Sequence, residues 1–210
     1  MNANKRECIL AKLKANTPEP TTELKFNSPY QLLIAVILSA QTTDIQVNKV
    51  TQKLFKIAPN ERLLSSLDIS VIEEIINSIG LYKTKAKNIL QTSIILNQEY
   101  NGVIPKTREE LVKLPGVGRK TANVFLNTIH KIPVIAVDTH IFRVSNRIGL
   151  CKGKNVLEVE KKLTKLLPKN YLVDAHHLLI LHGRYICKAR NPECSLCCIE
   201  NFCEYKSKSF

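Results

Sequence analysis

Acidic residues are the first scarcity. The 210-residue chain carries 18 Asp and Glu, only four of them Asp, against 31 Lys and Arg, for a formal charge of +13. Such an imbalance suits a polyanion, with nucleic acid the first candidate and an anionic membrane surface the second. Long apolar runs are missing too. None reaches the ~20 residues of a spanning helix, which excludes a membrane-embedded chain of that kind. Glycine (seven) and proline (nine) are sparse and fall as punctuation, and no tandem repeat or low-complexity stretch is present. A secretory leader is not expected, because Glu7 interrupts the early cations and no apolar segment follows them. The expected compartment is therefore intracellular, where seven cysteines read as thiols or metal ligands before disulfides.

What is present is mostly helix signal. Ile9, Leu10 and Leu13 share one face of a short first helix. Ser28 and Pro29 suit the N-cap and first position of an apolar helix through Leu38, which belongs in the middle of a domain. Further helices are expected after Thr43, from Ser70 to Ile79 with Gly80 as the C-terminal stop, from Lys83 to Tyr100, from Thr107 to Lys113, and near 155–167 and 171–182. Pro133 to Val137 has no strand partner and reads as a buried connector. Asp138 can cap a helix closed by Gly149, and Cys8 and Cys151 read as small buried thiols.

The chain is organised around Leu114-Pro115-Gly116-Val117-Gly118-Arg119-Lys120-Thr121-Ala122. Pro115 and Gly116 fit the two central positions of a type II turn. Gly118 bares its backbone where a helix begins, and such an N-terminus favours an anion such as a backbone phosphate. Arg119 and Lys120 are poorly placed for helix stability, which points to a ligand. A Walker-type nucleotide loop fails on spacing, since Arg119 intrudes and Lys113 stands where a glycine is needed. An ordinary helical hairpin is the plain alternative. Arg119 and the helix end both work against an ammonium at Lys120, which suits an amine nucleophile for the C1′ of a DNA sugar that is losing its base. Asp138 can serve as a cap, as a proton-handling carboxylate, or as both.

The tail carries Cys187-x6-Cys194-x2-Cys197-x5-Cys203. Four thiolates so close together suit zinc or an iron–sulfur cluster, and the two isolated outer cysteines lean toward the cluster. Cys198 is ambiguous as a ligand. Lys188 and Arg190, between the first two cysteines, suit phosphate or a merely solvated loop.

These stretches resemble the endonuclease III family, bifunctional DNA glycosylase/AP lyases of the helix-hairpin-helix superfamily with a [4Fe–4S] cluster. The resemblance spans essentially the whole chain: Leu38-Ser39-Ala40-Gln41, Gly80-Leu81-Tyr82, Leu114 to Asn123, Val137 to Arg143, Leu181-His182-Gly183-Arg184 and the cysteines. It implies an all-α fold of two helical domains with DNA in the cleft between them. One is a six-helix barrel over 22–132 with the hairpin at about 107–130, and the other joins 1–21 to 133–210 and holds the cluster. It further implies Lys120 as Schiff-base nucleophile, Asp138 as the essential carboxylate, and Cys187, Cys194, Cys197 and Cys203 as cluster ligands. Gln41 would fill the gap left by a flipped nucleotide and Leu81 would wedge opposite, although by residue type alone they read as a helix end and a core residue. Gly116, Gly118, Arg119, His140, Arg143, Arg184, Lys188 and Arg190 complete the expected DNA contacts.

The function so implied is base-excision repair: removal of oxidised or damaged pyrimidines from duplex DNA, then β-elimination at the abasic site. The expected enzyme is a monomer without membrane association, in a bacterial-type cytoplasm on the nucleoid. An adenine-mismatch glycosylase is the nearer alternative, though those enzymes lack a lysine at the Lys120 position. A non-catalytic basic DNA-binding module with a metal-stabilised tail is the more distant one.

Overall fold

The computed structural model describes residues 1–209, and among them there is helix and connecting chain but no strand. The chain divides into two compact units, residues 23–130 and residues 1–22 joined with 131–210. Helix α1 (Ala3–Asn16) opens the split unit. The continuous unit contains α2 (Pro29–Leu38), α3 (Asp44–Ile57), α4 (Glu61–Ser65), α5 (Ile69–Ile76), α6 (Tyr82–Glu99), α7 (Arg108–Leu111) and α8 (Arg119–His130). The split unit resumes with α9 (Thr139–Ile148), α10 (Val156–Leu166) and α11 (Lys169–Tyr185), then two single 3₁₀ turns at Cys194–Leu196 and Glu200–Phe202.

Helix α2 is the axis of the continuous unit. Every residue from Tyr30 to Leu38 is buried, and Ser28 Oγ accepts from Gln31 N at 3.2 Å to start it. An all-round apolar helix is stable only when wrapped, and α3, α6 and α8 pack against it. From α8 come Ala122, Phe125 and Leu126, and from α6 Ala86, Ile89 and Leu96. The polar groups that α6 buries are used. Ser93 Oγ meets Tyr30 OH at 2.6 Å, and Thr92 Oγ1 donates to Pro115 O at 2.9 Å, so α6 grips the hairpin turn by its carbonyl.

Two local expectations need correction here. Helix α5 stops at Ile76, not Ile79, and Gly80 is not the left-handed residue. Ile79 leaves the helix to bury itself in a turn closed by its N–H on Ile76 O at 3.1 Å. The left-handed position falls on Leu81, at φ 59°.

In the split unit, Ile9, Leu10 and Leu13 pack with Ile135 and Val137 of the connector. The same core takes Ile141, Val144 and Ile148 of α9, Val159 and Leu163 of α10, and Leu172, Leu178 and Leu179 of α11. Cys151 is buried there, but Cys8 is exposed. The three apolar residues take the inner face of α1, which turns Cys8 to solvent.

Candidate active site

The hairpin is built as its residues require. Val117 N donates to Leu114 O at 3.0 Å, and Gly116 sits at φ 77° between them. A Cβ on Gly116 would also lie 3.0 Å from Ile37 Cγ2 and from Asn88 Nδ2. Backbone and packing both demand glycine there. Gly118 differs: a Cβ there would meet nothing within 4 Å, and its φ is not left-handed. The fold does not need that glycine, so its bareness is available to something outside. Gly118 O accepts from Ala122 N at 3.0 Å, so α8 begins at Arg119. Because Ala122, Phe125 and Leu126 take the inner face, Arg119 and Lys120 stand exposed, with no acidic residue in the first turn.

Asp138 follows the buried connector Ile135–Val137 and is itself half-buried. Its Oδ1 accepts from Ile141 N at 2.8 Å and caps α9. Oδ2 has no hydrogen-bond partner among the described residues. The two readings of this residue are compatible, one oxygen holding the helix and the other left for chemistry.

The expected DNA contacts in the split unit behave differently. Arg143 donates through Nη2 to Gly183 O at 2.7 Å and through Nε to Cys187 O at 3.1 Å, with His140 Nδ1 3.3 Å from Nη2. Burial lowers its pKa from the ordinary arginine value, with the neighbouring charge of Arg147 adding to the shift and Asp138 opposing it. Its guanidinium joins α9 to the end of α11. Lys188 is paired with Glu193, Arg184 is half-buried, and Arg190 is exposed. One residue was missed in the sequence. Arg147 donates to Lys188 O at 2.6 Å and Ala189 O at 2.9 Å, and its guanidinium lies 4.7 Å from the Tyr205 ring centroid. Its only signal was a second arginine one turn after Arg143, on the same helical face.

Cys187, Cys194, Cys197 and Cys203 line one pocket with Ile148, His182, Ile186 and Tyr205. Burial pushes the Cys197 thiol up to about 11 and raises Cys203, and the neighbouring cysteines add to both shifts. Four sulfurs lining one half-dry pocket are a donor set completed by a thiophilic cation. They are gathered rather than drawn in: among the described residues no three His, Cys, Asp or Glu side chains stand at metal-holding spacing. Cys198 is not part of the lining, and its Sγ lies 3.9 Å from Lys12 O.

Gln41 and Leu81 are both exposed, and both have left-handed backbones, at φ 54° and 59°. The core position suggested by the residue type of Leu81 is therefore wrong, since it is 61% exposed.

The chain belongs to a superfamily of DNA repair proteins: residues 34–169 match the HhH-GPD superfamily of base excision DNA repair proteins. Endonuclease III of Escherichia coli is 55% identical over 208 residues, covering 99% of each chain. That of Haemophilus influenzae is 54% identical over the same length and coverage. Among solved structures, a trapped endonuclease III–DNA covalent intermediate matches at TM-score 0.90 and 44% identity, over 97% of this chain and 96% of that one. Within the superfamily the chain is thus a member of the endonuclease III family, the DNA glycosylases that are also AP lyases. No helix among the described residues is long and apolar enough to cross a membrane.

Proposed function

We propose that Lys120 is the nucleophile of a glycosylase/lyase acting on damaged pyrimidines in duplex DNA. The observation that carries this reading is an exposed lysine on the first turn of α8, two residues after the bare backbone of Gly118. The glycosidic bond is unreachable inside the base stack, so the nucleotide must be flipped out first. The Nζ lone pair of Lys120 then attacks C1′, and the C1′–N bond breaks, its electrons leaving with the base. Loss of a proton from nitrogen and ring opening give an imine. The imine acidifies the C2′ hydrogen, and as that proton is removed the bond to the 3′ phosphate breaks. The free Oδ2 of Asp138 supports a role in accepting the proton from Lys120 and steadying positive charge at the sugar.

Gly116, Gly118 and Arg119 hold backbone phosphate, while Gln41 and Leu81 enter the helix where the nucleotide has left. His140, Arg184 and Arg190 add contacts to DNA, whereas Arg143 and Lys188 act chiefly by fixing the chain around Cys187. Cys187, Cys194, Cys197 and Cys203 would hold a [4Fe–4S] cluster, which contributes by pinning the loop that carries Arg190. The enzyme acts as a monomer on the nucleoid, to which its +13 charge draws it.

Borohydride reduction in the presence of abasic duplex tests the assignment. Wild type gives a covalent adduct on a denaturing gel and Lys120→Gln does not. A wild-type protein that neither traps nor nicks would overturn the lyase reading. Iron and sulfide analysis of the purified protein tests the cluster, and a folded, iron-free protein refutes it.

A further inference from the structure

Lys85 is 4% exposed, yet among the described residues no carboxylate pairs with it. A buried lysine without a counter-ion costs stability, so its presence calls for a reason. Its Nζ donates to Thr42 Oγ1 at 2.8 Å, and the same hydroxyl donates onward to Ala40 O at 3.3 Å. These two partners flank Gln41. The backbone N–H of Lys85 donates to Leu81 O at 3.0 Å, the helical bond that opens α6. The side chain of Lys85 is thus tied to both sides of the first left-handed position, and its main chain to the second. A parallel link runs from Gln46 Nε2 to Ser78 Oγ at 2.8 Å, joining the first turn of α3 to the loop before Leu81.

Non-glycine residues held at positive φ persist only where their surroundings over-determine them. Gln41 and Leu81 are exposed, so neither is held by burial of its own side chain. We propose that Lys85, acting through Thr42, is a positioning residue that presets Gln41 and Leu81 as a fixed pair, so that their entry into the duplex requires no reordering of either loop. It does not touch DNA. Its effect falls on discrimination between a duplex with a gap in its stack and an intact one, because only the gapped duplex receives the pair. Phosphate binding, supplied by the hairpin and the general charge, is independent of it. The proposal rests on the assignment of Gln41 and Leu81 to the helix gap.

The test is the ratio of affinities for a duplex bearing a tetrahydrofuran abasic analogue and for the intact duplex, by fluorescence anisotropy at fixed salt. Lys85→Met keeps the stem and removes the donor; Thr42→Val removes the hydroxyl at nearly constant shape; Thr42→Ser keeps it. The expected result is a ratio lowered about tenfold in the first two, equivalent to ~1.4 kcal/mol, with intact-duplex affinity unchanged and Thr42→Ser near wild type. Should Lys85→Met fail to fold, Thr42→Val decides. The proposal is overturned if folded Thr42→Val keeps the wild-type ratio, or if both affinities fall together. Gln41→Ala and Leu81→Ala separate the premises: if neither lowers the ratio, the gap-filling assignment itself is wrong.

Discussion

The two units use their cations in opposite ways. In residues 23–130 the hairpin presents Arg119 and Lys120 outward from a helix start that the fold leaves open. In the split unit Arg143 and Arg147 aim their N–H groups at the main-chain carbonyls of Gly183, Cys187, Lys188 and Ala189. A charge of +13 therefore does not translate into that many reaching cations. Some stand open to a polyanion and others are pegs for loops that have no regular structure of their own.

The contrast can be broken most sharply at Lys120. Its replacement by Gln is expected to lower nicking of abasic duplex by on the order of 10⁴-fold or more, the scale of removing a nucleophile. Unfolding free energy should stay within ~0.5 kcal/mol, as for other exposed sites. A large loss of stability in the urea midpoint would mean that the hairpin cation is also a peg.

Acid should weaken the split unit through His177. Burial, reinforced by Lys131, holds its folded pKa down at about 4, against an ordinary 6.5. Between those values the unfolded chain takes up a proton that the folded chain refuses. Its contribution is thus complete above 6.5 and is lost as pH falls toward 4, at up to ~1.4 kcal/mol per pH unit. Urea titrations at pH 7 and pH 5 should show a smaller difference in His177→Gln than in wild type.

Arg147→Met is expected to cost about 1–3 kcal/mol by removing charge-assisted bonds to two carbonyls. Limited proteolysis should then cut near Ala189 sooner, with nicking by fresh enzyme reduced far less than in Lys120→Gln. Smallest of all is the difference between the two hairpin glycines. Gly116→Ala should destabilise by ~1–2 kcal/mol through its positive φ and its crowding against Ile37 and Asn88. Gly118→Ala should be near neutral in thermal unfolding while weakening DNA binding, since its space is open. Equal effects on stability would erase the distinction.

Much of this architecture was legible along the chain, for reasons that are local. Ser28, Thr43, Thr107, Asp138 and Asn155 all cap helices with their own side chains, within three residues of the N–H they serve. Gly116 adopts the left-handed turn that the preceding proline signals. What was not legible depends on neighbours far away in sequence. Leu81 looks like a core residue, but packing buries Ile79 and sends Leu81 to the surface with a strained backbone. Cys8 lies beside Ile9 and Leu10 and yet faces solvent, because helix phase rather than residue type chooses the inner side. The pegs Arg147 and Lys85 could not be told from the other cations, since their partners are a carbonyl 41 residues away and a hydroxyl 43 residues away. Lys120, Asp138 and the four cysteines came from a resemblance laid over chemistry; helical periodicity alone would have ranked none of them.

Asp138 divides its carboxylate between the start of α9 and the open side. That division limits how the enzyme can decay. Apolar replacements there would strip the cap from α9 together with the charge, so lost stability would accompany any lost activity. Asparagine, and to a lesser degree serine or threonine, keeps a capping oxygen while discarding the charge, so such a change would leave a sturdy protein in which activity alone reports what the open oxygen does.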